Sequence, residues 1–230
     1  MTWKQVFTST IGQKFVMGLT GLFLIAFLVV HVGLNATIWA DDNGSMFNRG
    51  AKFMGGTVLI RIMEIGLFLG IFLHIIQGYM LTAYNNSRRS TGYRVNKGYG
   101  SKWYSRTMGL LGTLILLFLI MHIWHFWVPS RLTPESLSIV EYRNGEAHDL
   151  YRRMVEVFQD PIVVVLYVVA CISLAYHLAH GFKAAFRTFG VSNSRYYSMI
   201  KGFGYAFSII VPLAFAMMPV SMYLGWVGLK

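Results

Sequence analysis

The chain has seven histidines, and six of them (His31, His74, His122, His125, His177 and His180) lie in apolar stretches; only His148 sits among polar residues. A neutral imidazole can ligate a metal through one nitrogen, or pass a proton between its two. Ionisable side chains are costly in lipid and mark a function there. A single buried histidine reads equally well as a hydrogen-bonded packing residue. Six of them, spread over four successive apolar segments, point to ligation or proton transfer.

The elements that position them follow from the charge pattern. Of the 230 residues, 55% are hydrophobic and 13% charged, against about 25% charged in an ordinary soluble domain. Residues 15–40, 65–87, 107–130, 161–182 and 202–229 contain no Asp, Glu, Lys or Arg. A helix crosses a hydrocarbon core with roughly 20 residues, and a lone span must be helical to satisfy its own backbone. The pattern predicts an all-α membrane protein: one transmembrane domain over 1–230, a five-helix bundle with spans at about 15–38, 57–84, 107–128, 161–186 and 202–227. Asp160-Pro161 is a helix-start signal for the fourth span.

The net charge of +11 would suit nucleic acid, but its distribution does not. Lys4 and Lys14, then Arg88, Arg89, Arg94, Lys97, Lys102 and Arg106, then Lys183, Arg187, Arg195 and Lys201 all fall on one side of the expected membrane. The acidic residues lie on or toward the other. The positive-inside rule places the N-terminus in the cytoplasm. Basic loops of this kind report topology, and they also suit an acidic partner surface. Cys171 lies alone in the fourth span, so neither a disulfide framework nor an iron–sulfur cluster can be built from this chain.

Depth along the spans sorts the histidines. His31 and His122 follow Lys14 and Arg106 by about 16 residues, which at ~1.5 Å per residue puts both roughly 25 Å from the basic side. His74 and His177 precede Tyr84 and Arg187 by about 10 residues, or roughly 15 Å. The result is two layers, each joining two helices. Two imidazoles facing each other across a bundle form an axial ligand set for an iron porphyrin. Zinc prefers three or four ligands around one point, often with carboxylates or thiolates, and no carboxylate joins these pairs. His125 and His180, three residues beyond His122 and His177, share a similar helix face. Spacing alone leaves either member of each H-x-x-H pair as the ligand.

Gly18, Gly21, Gly33, Gly66, Gly70, Gly78, Gly109 and Gly112 could line faces that meet a flat macrocycle, or simply allow close helix packing. Arg61 and Glu64, one turn apart, form an interfacial ion pair or supply a proton-handling carboxylate. Trp39, Trp124 and Trp127 suit an aromatic belt at the membrane surface.

In "FLVVHVGLN", "EIGLFLGIFLHIIQGY", "FLIMHIWHFW" and "SLAYHLAHGFKAAF", one per helix with a fifth helix lacking histidine, the chain resembles the cytochrome b membrane-anchor subunits of succinate dehydrogenases and quinol:fumarate reductases. The likeness is to the type with a single five-helix anchor and two haems, and it covers essentially the whole chain. It implies that the first four helices enclose two b haems, the distal held by His31 and His122 and the proximal by His74 and His177. His125 and His180 would be near neighbours of haem or quinone. It also implies a flavoprotein subunit and an iron–sulfur subunit on the cytoplasmic face, electron delivery to a quinone, expected to be menaquinone, and residence in the bacterial cytoplasmic (inner) membrane. Glu64 would then exchange protons with the quinone. Some fumarate-reducing members carry a glutamate two residues before the fourth-helix histidine; here that position is Ala175, which favours succinate oxidation. The competing expectations are a di-haem anchor of another quinone-linked oxidoreductase and a haem-free transporter using its histidines as a proton path.

Overall fold

The computed structural model describes residues 2–87, 103, 107–142, 145–191 and 193–229. The basic segment with Arg88, Arg89, Arg94, Lys97, Lys102 and Arg106 lies outside the described residues.

The uninterrupted apolar runs form helices, since each satisfies its backbone internally. After a short helix α1 (Trp3–Thr8), α2 (Thr10–Ala36) leads into a 3-10 turn at Thr37–Trp39. Helix α3 (Ser45–Gly56) precedes α4 (Val58–Ser87). Helix α5 (Met108–His122) passes into a π-helical turn (Ile123–Trp127) and then α6 (Val128–Arg131). A 3-10 turn (Pro134–Ser136), a two-stranded hairpin and α7 (Leu150–Val157) lead to α8 (Pro161–Thr188) and α9 (Ser194–Tyr223). Five of these stretches, Thr10–Trp39, Val58–Ser87, Met108–Arg131, Pro161–Thr188 and Tyr196–Tyr223, are long and apolar enough to cross a membrane.

The spans differ from the sequence expectation mostly at their ends. Ser9 Oγ accepts from Gly12 N and starts α2 before Lys14; a lysine near a helix end can stay inside the helix while its ammonium reaches water. Asp160 Oδ1 accepts from Ile162 N and opens α8 where Asp-Pro signals it. Helix α9 runs through both Pro212 and Pro219 and stops before Gly225, which has a φ of +70°.

The chain forms two compact units. The first comprises Met1–Phe27, Gly66–Thr113 and Ser173–Ile209; the second comprises Leu28–Ile65, Leu114–Ile172 and Ile210–Lys230. Within the first, close approach replaces a large core, as expected where lipid competes for apolar surface. A Cβ at Gly204 would lie 2.7 Å from the Phe182 ring, and one at Gly109 would lie 3.0 Å from Thr82. Phe182 packs against Phe186, Phe203 and Phe207.

The second unit has a buried core: Ile38, Phe47, Tyr151, Met154, Val157, Phe158, Val164, Tyr167, Met218 and Met222. Strands β1 (Ile139–Tyr142) and β2 (Gly145–His148) pair antiparallel with Ile139 opposite His148. Asn48 of α3, 1% exposed, ties this region together. Its amide donates to Tyr142 Oη (3.1 Å) and Asp149 Oδ1 (2.8 Å), and its carbonyl accepts from Tyr151 N (2.9 Å). Asp149 also caps α7 by accepting from Arg152 N. Gly44 (φ +77°) cannot take a side chain, because a Cβ would collide with the Tyr151 ring.

Candidate functional site

Each unit brings together one histidine from each of two spans. In the second unit His31 of α2 faces His122 of α5, with ring centroids 5.8 Å apart and planes at 88°. In the first, His74 of α4 faces His177 of α8 at 6.2 Å and 62°. An imidazole nitrogen sits about 2 Å from a first-row metal. Its ring centre lies on the order of 1 Å further back, so two rings ligating one iron from opposite sides have centroids about 6 Å apart. Both pairs meet that spacing. No group of three His, Cys, Asp or Glu residues suited to a metal ion occurs among the described residues, so zinc-type clustering is not the pattern.

The surroundings suit ligation. Thr20 Oγ1 donates its proton back to Val16 O (2.8 Å) and lies 3.1 Å from His74 Nδ1. A hydroxyl has one proton; with that proton on Val16 O, its oxygen accepts from an Nδ1–H of His74. That tautomer leaves the Nε2 lone pair for a metal, with the threonine as an outer-shell orienter. At His31 the Asn35 amide lies 3.5 Å from Nδ1 while donating to His31 O at 2.8 Å. The Nδ1 atoms of His122, His177 and His180 are buried without a hydrogen-bond partner among the described residues. Unpartnered buried polar atoms call for an explanation beyond packing, and packing alone supplies none for these three rings. A Cβ at Gly21 would lie 3.6 Å from His74 Cε1, and one at Gly112 3.8 Å from His177 Cε1. These two glycines lie beside the rings, at distances where a Cβ would make ordinary van der Waals contact. Gly18, Gly70, Gly78 and Gly109 instead abut side chains of other segments, and Gly33 and Gly66 would meet nothing within 4 Å.

His125 takes a different partner. Its ring stacks on Tyr167 of α8 at 6.0 Å and 9°, with Nδ1 3.1 Å from the tyrosine hydroxyl. Tyr167 also packs edge-on against Phe118 and lies 6.2 Å from the His122 ring. His180 is one step along the unbroken helix α8 from His177.

Glu64 pairs with Arg61, as the sequence spacing suggests (3.3 Å), but it has two more donors. Trp127 Nε1 and Arg131 Nε, the latter at 3.2 Å, both reach Oε1. Trp39 donates to Ser221 Oγ, and Trp124 is exposed, as an aromatic belt residue would be. Sequence reasoning missed Thr20, Tyr167, Trp127 as a donor, and Arg131. The threonine–histidine and tyrosine–histidine contacts join residues 54 and 42 positions apart, and no local pattern reports them. Two cavities of about 630 and 530 Å³, lined among others by Met217 and Trp226 and by Asp41 and Gln159, lie in the second unit and include neither histidine pair.

The fold and these pairs define a class: a multi-pass membrane protein of five helical spans with imidazoles paired across helices. Comparison of the whole sequence adds particular relatives. The chain is similar to the succinate dehydrogenase cytochrome b558 subunit of Bacillus subtilis (strain 168), with 23% identity over 175 residues, 75% of this chain and 74% of that protein. It is also similar to cytochrome c oxidase polypeptide 4 of Corynebacterium efficiens, with 26% identity over 139 residues, 58% of this chain and 94% of that protein. No family model and no solved structure matches. The first similarity supports the resemblance to di-haem cytochrome b anchors drawn from the histidine motifs.

Proposed function

We propose that the chain is a membrane cytochrome b subunit of a respiratory complex, and that it passes electrons between an iron–sulfur subunit and a quinone through two b haems. One haem is assigned to His31 and His122, the other to His74 and His177. The observation that carries this is the pairing itself: one imidazole from each of two spans, twice, at centroid distances of 5.8 and 6.2 Å. Each haem iron, alternating between ferric and ferrous, supplies a one-electron relay when bound.

The chain's own residues do the rest. The spans exclude water from the pairs, and Thr20 holds His74 in the ligating tautomer. Reduction of a quinone to a quinol takes two electrons and two protons. Glu64 is assigned to that proton exchange, with Arg61, Arg131 and Trp127 holding its carboxylate in place. The chain has neither a dinucleotide fingerprint nor a cysteine cluster, so dicarboxylate oxidation belongs to partner subunits. A flavoprotein and an iron–sulfur subunit would dock on the basic face, which the positive-inside pattern puts in the cytoplasm. Menaquinone, the tricarboxylic acid cycle and the bacterial cytoplasmic membrane complete this reading, which rests on the similarity to the Bacillus subtilis cytochrome b558 subunit.

The test is a dithionite-reduced minus oxidised spectrum of the purified chain, with haem quantified per polypeptide. Two b haems per chain are expected. Folded protein without haem, from cells supplied with haem, would overturn the proposal.

A further inference from the structure

We infer that the π-helical turn at Ile123–Trp127, held by Trp127 and Arg131 on Glu64, selects His122 over His125 as the imidazole facing His31. Trp127 and Arg131 are thereby positioning residues for the second-unit pair. The inference rests on the proposed haem ligation and adds what sets the ligand's direction.

Both H-x-x-H pairs have the same spacing, yet only one is interrupted. In an α-helix three residues turn through roughly 300°, leaving the two histidines about 60° apart, on neighbouring faces. A π turn carries about one residue more per turn. Across it three residues turn through roughly 240°, and the histidines diverge by roughly 120°. The side chains obey this geometry. His122 points to His31, whereas His125 stacks on Tyr167.

A π turn is rare and needs support. Three bonds supply it from outside the helix. Trp127 Nε1 donates to Glu64 Oε1, Arg131 Nε donates to the same oxygen, and Arg153 Nε donates to the His125 carbonyl at 3.3 Å. Arg131 further reaches Met54 O at 3.4 Å. The guanidinium lies against Gly55, where a Cβ would come within 2.6 Å of it and make it shift. Glu64 on α4 therefore grips both the end of the π turn and the helix that follows it.

The experiment uses the full chain produced with haem, reading haem per polypeptide and the low-spin ferric electron paramagnetic resonance signals of the two haems. W127F keeps the ring and removes the donor; R131Q removes the charge. The double variant W127F/R131Q is expected to shift or lose one of the two haem signals and leave the other at its wild-type position. Deleting Ile123, which removes the extra residue, is expected to leave one haem per chain. Two haems with both signals unmoved in W127F/R131Q overturn the inference, as does an equal shift of both, which marks general loosening. Wild-type protein without haem would instead sink the ligation reading on which this rests.

Discussion

The two units solve one problem differently. Each presents a pair of imidazoles from two spans, and each contains an H-x-x-H string. In the first, the string lies in an unbroken α-helix, His180 Nδ1 has no partner among the described residues, and the supporting contact is a threonine hydroxyl on the opposite histidine. In the second, the string straddles a π turn, its later histidine is occupied by a tyrosine, and a carboxylate with three donors fixes the turn. Identical spacing thus carries two structural meanings, and helix phase decides between them.

The largest expected effect separates the two strings. H122A should remove the second-unit haem completely, because His125 is turned away toward Tyr167. H177A should retain a measurable fraction of the first-unit haem, because His180 is one helical step away and unpartnered at Nδ1. Equal losses in a pyridine haemochrome assay would erase the contrast. Next, T20V preserves shape and removes the acceptor at His74. Loss of an outer-shell partner typically costs about 10- to 100-fold in metal affinity. The first-unit haem should therefore be the one lost on dilution, as followed by its spectrum; loss of the other would contradict the pairing.

N48A probes the second unit alone. It leaves Asp149 and the Tyr151 amide short of a partner, at a cost of about 2 kcal/mol. Detergent-solubilised variant should be cut by protease within 139–157 sooner than wild type. The smallest effect concerns pH. Burial, followed by the nearby Asp42, Asp41 and Asp149 carboxylates, pushes the Tyr151 phenol above its ordinary value. The folded state thus keeps its proton when the unfolded state releases it. The stabilisation is complete below the ordinary tyrosine value of about 10 and is lost as pH rises beyond it. Y151F should flatten that alkaline decline, measured as the temperature of protease opening against pH.

The sequence made the five spans legible because absence of charge over 20 or more residues has one physical solution in lipid. The four facing histidines were legible for a related reason: rise per residue converts position into depth. What stayed hidden depends on rotation. Depth does not distinguish His122 from His125, and the π turn that does so has no signature in "HIWHFW". The strand pair and α7 stayed hidden as well, because four-residue strands and an eight-residue helix are too short for periodicity to announce. Glu64 was expected to have one partner. Its second and third come from 63 and 67 residues away, beyond any local pattern.

The Asn48 node also dictates an order of assembly. Its partners lie 94, 101 and 103 residues further along the chain, and both α4 and α5 intervene. As the ribosome feeds the chain into the membrane, α3 emerges with an amide that has nothing native to bind until two further spans have been threaded. These contacts consequently close only after α4 and α5 have been made. A chain stopped before the hairpin and α7 are made leaves Asn48 without these partners and Phe47 without the Tyr151, Met154 and Phe158 side of its core.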